Sequence, residues 1–264
     1  MHPKWLGLLL VLAVLSSCES IAQALSSLDQ SDGKTTAGPA QDSREQTAVP
    51  AARKEGAEPE ETNPRWNRST VDTAASVDYL TETERQVILE INKARTDPAE
   101  YCRRYLAPLR TLYHGRLLQY PGEVAISTSE GLAALEECIR EMQAARPQAP
   151  LSPEKGLARA ARDHAKDQAR TGATGHVGSD GSSLDVRLSR YGRWDTSAGE
   201  NIDYGNATAG RIVDSLLIDD GVSSRGHRRN LLNGSFRYIG VAAGPHKVYG
   251  FMCVMDFAGG YTSR

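Results

Sequence analysis

Large apolar residues are distributed so unevenly along this chain that only its C-terminal part can build a hydrophobic core. Residues 25–78 are rich in Ser, Thr, Ala, Pro, Glu and Gln, and their few large apolar side chains follow no period. Such a stretch cannot bury enough apolar surface to offset the entropy lost on ordering. We therefore expect a disordered spacer over residues 25–78, with Trp66 an incidental residue in it, and one folded domain over residues 79–264.

The first 24 residues have the order of features found in secretory signals. Lys4 precedes an apolar run over residues 5–15, and small residues follow. The run is too short to span a bilayer comfortably as a permanent helix. Two processing sites remain open, because Leu-Ser-Ser-Cys18 resembles a bacterial lipobox, whereas Ala-Gln-Ala24 offers an ordinary cleavage site. We expect an exported protein that is either extracellular or attached to the bacterial cell envelope through a lipidated Cys18.

The charge balance excludes one class of partner. The chain has 31 Lys and Arg against 33 Asp and Glu, so its charges nearly cancel. Nucleic-acid-binding proteins usually carry a basic patch or stripe. We therefore expect no nucleic-acid partner, and we expect a monomer.

From residue 79 onward, helix signals follow one another closely. Helix starts are predicted at Thr81 (with Glu84 completing a capping box), Asp97 (with Pro98), Ser127 (with Glu130), Ser152 (with Pro153) and Thr208. In the fourth predicted helix His164 lies on the apolar stripe, which favours a buried core histidine.

The C-terminal end of the chain changes to a strand pattern. Residues 236–243 and 247–257 are apolar and rich in Val, Ile, Tyr and Phe, and Gly-Pro-His lies between them at 244–246. This arrangement predicts an antiparallel hairpin with its turn at 244–246. Several helices followed by a hairpin predict an α+β fold, an α-β-α sandwich whose small antiparallel sheet is covered by helices.

Five short motifs in a fixed order carry a family resemblance. They are His-Val-Gly-Ser-Asp-Gly-Ser-Ser at 176–183, Gly-Glu-Asn-Ile at 199–202, Gly-His-Arg-Arg-Asn-Leu-Leu-Asn at 226–233, Ile-Gly-Val at 239–241 and Met-Asp-Phe-Ala-Gly at 255–259. Together they resemble the bacterial type of the CAP family, the cysteine-rich secretory, antigen 5 and pathogenesis-related class 1 proteins. The resemblance implies an α-β-α sandwich, which agrees with the pattern of helices and strands.

The resemblance also implies a cleft that holds two histidines and two acidic residues. By motif these are His176, Glu200 and His227, and the fourth is Asp220, three residues after Leu217, which stands where many relatives have Trp. Imidazole and carboxylate groups suit a divalent ion such as zinc. The same groups could act as a general base and its orienting partner. If the protein is an enzyme, these four residues are the catalytic candidates.

Two functions remain open at this point. The sequence contains no nucleophile motif and no local metal-binding motif, which favours a non-catalytic module that binds a small molecule, a lipid or an envelope partner. A metal-assisted, peptidase-like hydrolase with Glu200 as base needs neither motif, so it remains the alternative. Fold-level resemblance does not decide between them.

The cysteines allow two arrangements. Export permits disulfides, and Cys102 and Cys138 both lie near predicted helix ends, so they could form a bridge. The alternative is three reduced, buried cysteines, with Cys253 a small apolar residue of the C-terminal strand.

Overall fold

The computed structural model describes residues 66–264. The predicted signal segment, Cys18 and the spacer up to residue 65 lie outside the described residues. Within residues 66–264 the α+β prediction is confirmed, because eight α-helices pack against a four-stranded sheet. No helix in this part of the chain has the length and apolar character needed to cross a membrane.

The helices are α1 (Arg68–Val71), α2 (Glu82–Thr96), α3 (Pro98–Tyr101), α4 (Leu132–Ala144), α5 (Lys155–Thr171), α6 (Leu184–Tyr191), α7 (Ala209–Ile218) and α8 (Gly226–Leu231), with a π turn (Cys102–Leu106) and a 3-10 helix (Ala107–Leu112) after α3. The strands are β1 (Tyr113–His114), β2 (Leu117–Leu118), β3 (Ile126–Ser127), β4 (Ser152–Pro153), β5 (Gly192–Tyr204), β6 (Tyr238–His246) and β7 (Gly250–Ser263).

The main sheet has the strand order β4-β6-β7-β5, and β1–β3 form a separate small meander. The pairs β6–β7 and β5–β7 are antiparallel, whereas β4 runs parallel to β6, so the sheet is mixed. Alternate residues of β7 serve opposite faces. Cys253, Met255 and Phe257 join the core beneath α2, α4 and α7, and Met252 and Val254 pack on the α5 side. Helices therefore cover both faces, as in an α-β-α sandwich.

The folded part of the chain begins earlier than predicted. Trp66 is buried, and its indole N–H donates to Lys93 O at 3.0 Å. Val71 is also buried, and Asn92 of α2 donates to Val71 O at 2.9 Å. The apolar residues of this segment follow no period because each one contacts the domain separately. The predicted domain start at residue 79 is therefore too late, and Trp66 is a core residue.

Three of the five predicted helix starts are correct. Thr81 and Glu84 form the capping box of α2, Asp97 accepts from the N–H of Glu100 at the start of α3, and Thr208 precedes α7. The first two starts depend on contacts within one turn of the helix, which a local sequence encodes, whereas Thr208 makes no side-chain cap.

The two other helix starts are wrong, because long-range contacts decide them. Ser127 lies in β3, and α4 begins only at Leu132. Ser152 and Pro153 form β4, which pairs with Tyr238 and Ile239 of β6.

The C-terminal hairpin exists, but its turn lies later than predicted. Residues 244–246 continue β6, and the chain reverses at 247–249. The ring of His246 closes this turn, since its Nδ1 accepts from the N–H groups of Val248 and Tyr249, both at 3.2 Å. The imidazole of His246 therefore stabilises the turn, whereas Gly244 and Pro245, which were predicted to form it, belong to the strand.

The cysteines of the described part are reduced. Cys102, Cys138 and Cys253 are all free and buried. Burial raises the pKa of Cys138 to about 12, so its thiol is unreactive at neutral pH. The alternative of a Cys102–Cys138 disulfide is therefore not realised.

Candidate functional site

His176 and Glu200 form the first histidine–carboxylate pair. Glu200 projects from β5, and its Oε1 lies 2.8 Å from Nδ1 of His176. A carboxylate only accepts, so in the neutral form of the ring the hydrogen lies on Nδ1 and Nε2 carries the lone pair. The carboxylate is buried, whereas the imidazole is 23% exposed. The pair thus presents an oriented Nε2 at the surface.

Arg187 of α6 occupies the other side of Glu200. Its Nη2 donates to Oε2 of Glu200 at 2.6 Å, and its Nη1 donates to His176 O at 3.0 Å and to Ser182 O at 2.9 Å. Burial opposes ionisation of Glu200, but the His176 hydrogen bond and the Arg187 charge outweigh it and lower the pKa of Glu200 to about 2. Both oxygens of an ionised Glu200 are therefore engaged inside the protein.

Asp256 is a second carboxyl group directly behind Glu200. It faces Glu200 across the β5–β7 ladder and is completely buried. Burial, followed by the charge of Glu200, raises the pKa of Asp256 well above its usual range. Of the two facing carboxyl groups, Glu200 is therefore ionised and Asp256 is neutral, because two adjacent buried carboxylates would repel each other.

His227 and Asp219 form the second pair. Asp219 Oδ1 lies 2.7 Å from Nδ1 of His227, and Oδ2 accepts from the N–H of His227 at 2.9 Å. His227 is the second residue of α8, so the helix N-terminus also stabilises the carboxylate. The ring is 12% exposed and the carboxylate is buried. No other described residue contacts Nε2 of either histidine through a hydrogen bond.

Asp220, the predicted fourth member of the cleft, has a different role in the structure. Its carboxylate accepts from the N–H groups of Glu130 at 2.7 Å and of Gly131 at 3.1 Å, and also from Ser129 N–H. It thus caps the start of α4 from a distant loop, while Asp219 faces His227. Asp219 has a left-handed backbone with φ of 57°. The chain turns sharply there, and the neighbouring carboxylates point to different partners.

An arginine holds the His227 loop on α4. The guanidinium of Arg225 donates to Glu130 at 2.6 and 2.7 Å and to Glu137 at 2.9 and 2.7 Å. Bidentate pairs of this kind fix orientation as well as position. Arg225 directly precedes α8 and has a left-handed φ of 51°. These contacts of Arg225 therefore fix the start of α8 and, with it, the position of His227.

Asparagine contacts join the two pairs. Asn201, the residue after Glu200, donates to His227 O at 3.0 Å. Asn230 of α8 donates to Asn201 Oδ1 at 2.9 Å. The strand that carries Glu200 is thereby fixed to the helix that carries His227. The structure brings His176 to Glu200, and the Glu200 strand to the His227 helix, from three separate stretches of sequence.

The donor set does not fit a resident metal ion held by several protein ligands. Among residues 66–264 no group of three or more His, Cys, Asp or Glu side chains is placed to hold a metal. Glu200 is engaged by His176 and Arg187, and Asp220 caps α4. Only the Nε2 atoms of His176 and His227 remain as ligands, whereas protein zinc sites use three or four.

Sequence reasoning chose Asp220 instead of its neighbour Asp219 for the fourth position, and it missed Arg187 and Asp256. Asp256 carried a signal, since it is a charged residue within the apolar C-terminal strand pattern. Asp219 adjoins the predicted Asp220, and no local pattern separates them. Arg187 carried no signal, because an arginine on a short helix resembles a solvated surface residue until the fold buries it.

The α-β-α sandwich carries two histidine–carboxylate pairs, and the comparison with family profiles identifies its family. The chain belongs to the CAP family, since the profile of the cysteine-rich secretory protein family matches residues 89–257. A comparison with curated proteins yields no significant match.

Three solved bacterial structures are similar to this chain over about half of its length. An extracellular protein containing an SCP domain from Bacillus anthracis is 26% identical, with 47% of this chain and 37% of that chain covered and a TM-score of 0.34. An outer surface protein from Borrelia burgdorferi is 18% identical (48% and 89% covered, TM-score 0.36). A cysteine-rich secretory protein from Staphylococcus aureus is 16% identical (48% and 37% covered, TM-score 0.29). The alignments thus span little more than a third of the Bacillus and Staphylococcus chains.

Proposed function

We propose that this CAP-domain protein is a non-catalytic binding module of the bacterial exterior, which takes a small or lipidic ligand or an envelope partner at its two histidine–carboxylate pairs. The engagement of both Glu200 oxygens by His176 and Arg187 carries this proposal. A carboxylate that is held in this way, with its pKa lowered to about 2, is a poor general base at neutral pH. Glu200 therefore orients His176 and does not react.

The exposed part of the site favours a ligand with both polar and apolar parts. Nε2 of each neutral imidazole accepts a hydrogen bond from a hydroxyl or amide, and each protonated ring would donate to an anionic group. Val177, the residue after His176 in sequence, is 60% exposed and offers apolar surface. A lipid-like molecule with a polar head combines these features.

A second candidate function rests on the orientation of the imidazoles. A buried carboxylate on Nδ1 and a free Nε2 is the arrangement in which histidine acts as a general base. A hydrolase with an activated water could use His176 or His227 in this way, with Glu200 and Asp219 as orienting groups. This version differs from the expected one, in which Glu200 was the base.

Ligand titration and an activity screen separate the two functions. Palmitate and a lysophospholipid should bind the full chain in calorimetry, and His176→Asn/His227→Asn should weaken binding at least tenfold because it removes both carboxylate-oriented rings. His114→Asn, a change at an exposed histidine of β1, is the matched control. Equal binding by the double variant would contradict the site. Turnover of ester or peptide substrates that is lost in the double variant would establish the hydrolase instead.

The same preparations test the expected divalent ion. With only two imidazole ligands left, we expect less than one equivalent of zinc after purification, and ligand binding that a chelator leaves unchanged. One tightly held equivalent that is lost in the double variant would show that the ion belongs to the site.

We further propose that the protein is attached to the cell envelope through Cys18. Acyl chains supply the attachment energy of lipoproteins. Cys18→Ala should therefore move the protein from the membrane fraction to the medium or stop its processing. Unchanged fractionation would favour cleavage after Ala24 and an extracellular protein.

A further inference from the structure

The segment that leads into His176 has no helix or strand of its own. It follows α5 and covers residues 172–175. Gly172 and Gly175 have left-handed φ values of 75° and 94°, which favour glycine. Glycine also loses more conformational freedom on ordering than other residues do. Side chains of neighbouring elements must therefore fix this segment if His176 is to keep one position.

Both backbone polar groups of Gly175 are held by side chains. The N–H donates to the Tyr204 hydroxyl at 3.0 Å. The carbonyl oxygen accepts from the Gln168 amide at 2.5 Å and lies 2.9 Å from Nε2 of His164. Gln168 and His164 are each 1% exposed. The residue directly before His176 is thus fixed from two sides, by β5 and by α5.

The Tyr204 hydroxyl joins these two sides. A backbone N–H only donates, so Oη accepts from Gly175, and the hydroxyl hydrogen is left to donate to Gln168 Oε1 at 2.7 Å. The amide nitrogen of the same Gln168 donates to Gly175 O. The three residues therefore form a closed ring of hydrogen bonds, and hydrogen bonds connected in this way strengthen one another.

Aromatic packing fixes the direction of the Tyr204 hydroxyl. The Tyr204 ring centroid lies 5.4 Å from that of His246 and 5.3 Å from that of Tyr249. His246 also contacts the segment before His176, since its Nε2 lies 3.0 Å from Ala173 O. The β6–β7 turn thus supports both Tyr204 and the segment that Tyr204 holds.

Tyr204 lies on the same face of β5 as Glu200. The two residues are four positions apart, in a stretch where the register with β7 is unbroken, and alternate residues of a strand share a face. Glu200 holds the imidazole of His176, and Tyr204 holds the residue before it. Arg187 adds a third contact, at His176 O. His176 is therefore held at its ring and on both sides of its backbone.

We propose that Tyr204 is a positioning residue for His176 and that it acts through Gly175 together with Gln168. It keeps the imidazole where Glu200 orients it, before any ligand binds. Preorganisation of this kind lowers the cost of binding, because less of the site has to be ordered. The inference deepens the proposed function, and only its effect on ligand affinity rests on that function.

The variant Tyr204→Phe tests this role, since it removes one oxygen and keeps the ring. NMR relaxation of the unliganded full chain should give a backbone order parameter of about 0.85 at His176 in the wild type and a lower value in the variant. The ring nitrogen shifts of His176 should change as well, because its contact with Glu200 loosens. Gln168→Met removes another member of the hydrogen-bonded ring and should give the same two changes, so the test does not depend on one variant.

The matched control is Tyr249→Phe. Tyr249 belongs to the same aromatic cluster, but its hydroxyl forms no hydrogen bond with any described residue. This variant should leave both His176 signals at their wild-type values. Wild-type signals in Tyr204→Phe, or equal changes in Tyr204→Phe and Tyr249→Phe, would overturn the positioning role.

Ligand titration separates the positioning role from the proposed function. With a lysophospholipid as the probe, Tyr204→Phe should weaken binding roughly three- to tenfold, and Tyr249→Phe should not. If the wild type binds no lysophospholipid or palmitate while Tyr204→Phe still loosens His176, the proposed ligand is wrong and the positioning role stands. If the wild type binds and Tyr204→Phe binds equally well with His176 unchanged, the positioning role is wrong and the proposed function stands.

Discussion

Removing the Arg187 charge should destabilise the domain far more than removing a neighbouring surface charge. Arg187 is 1% exposed, and it is the guanidinium that pairs with Glu200. Taking away one partner of a buried ion pair costs about 3–5 kcal/mol, because the other charge remains buried without compensation. Arg187→Met keeps the aliphatic volume but removes the donors to Glu200, His176 O and Ser182 O. We expect a loss of about 3–5 kcal/mol at pH 7.

The pH dependence of this loss follows from the pKa of Glu200. Its folded-state pKa is lowered to about 2, so the pair stabilises the protein above the usual value of 4.5 and loses that contribution as the pH falls from 4.5 towards 2. The difference between wild type and Arg187→Met should therefore be largest at neutral pH. It should shrink at acidic pH, where Glu200 of the variant is protonated and carries no charge.

Urea unfolding followed by circular dichroism measures both effects. Arg190→Met is the matched control, because Arg190 lies on the same helix but is 38% exposed, and exposed pairs contribute about 0–1 kcal/mol. The double variant Arg187→Met/Glu200→Gln should recover part of the loss, since it removes both buried charges. If Arg187→Met and Arg190→Met cost the same at pH 7, the reasoning about the buried pair is wrong.

Two further predictions concern the core and the second pair. Gly240→Ala should cost about 1–3 kcal/mol, because a Cβ at this position would lie 2.1 Å from backbone atoms of α5, whereas Gly244→Ala meets nothing within 4 Å and should unfold near the wild-type urea concentration. Asp219→Ala should change the NMR nitrogen chemical shifts of the His227 ring, because it removes the acceptor on Nδ1. Asp220→Ala should leave these shifts unchanged; a larger change from Asp220→Ala than from Asp219→Ala would reverse the assignment.

Short-range contacts explain where the sequence predicted the fold correctly. The capping box of Thr81 and Glu84 and the Asp97 cap lie within single helical turns, so their residue types and spacing suffice. The apolar C-terminal strands likewise predicted a hairpin in the correct region. The wrong helix start at Ser127 has the opposite cause. The N–H groups that precede α4 are satisfied by Asp220, about ninety residues away in sequence.

The sequence by itself predicted the family from its short motifs, the α+β architecture from its helix and strand patterns, and His176, Glu200 and His227 as candidate site residues. Only the tertiary structure decided that Asp219, and not Asp220, faces His227, since a left-handed turn separates two adjacent carboxylates. It also decided the state of Glu200. Arg187 and Asp256 reach that carboxylate from another helix and another strand, and the burial that sets its pKa exists only after the sheet and helices have closed around it.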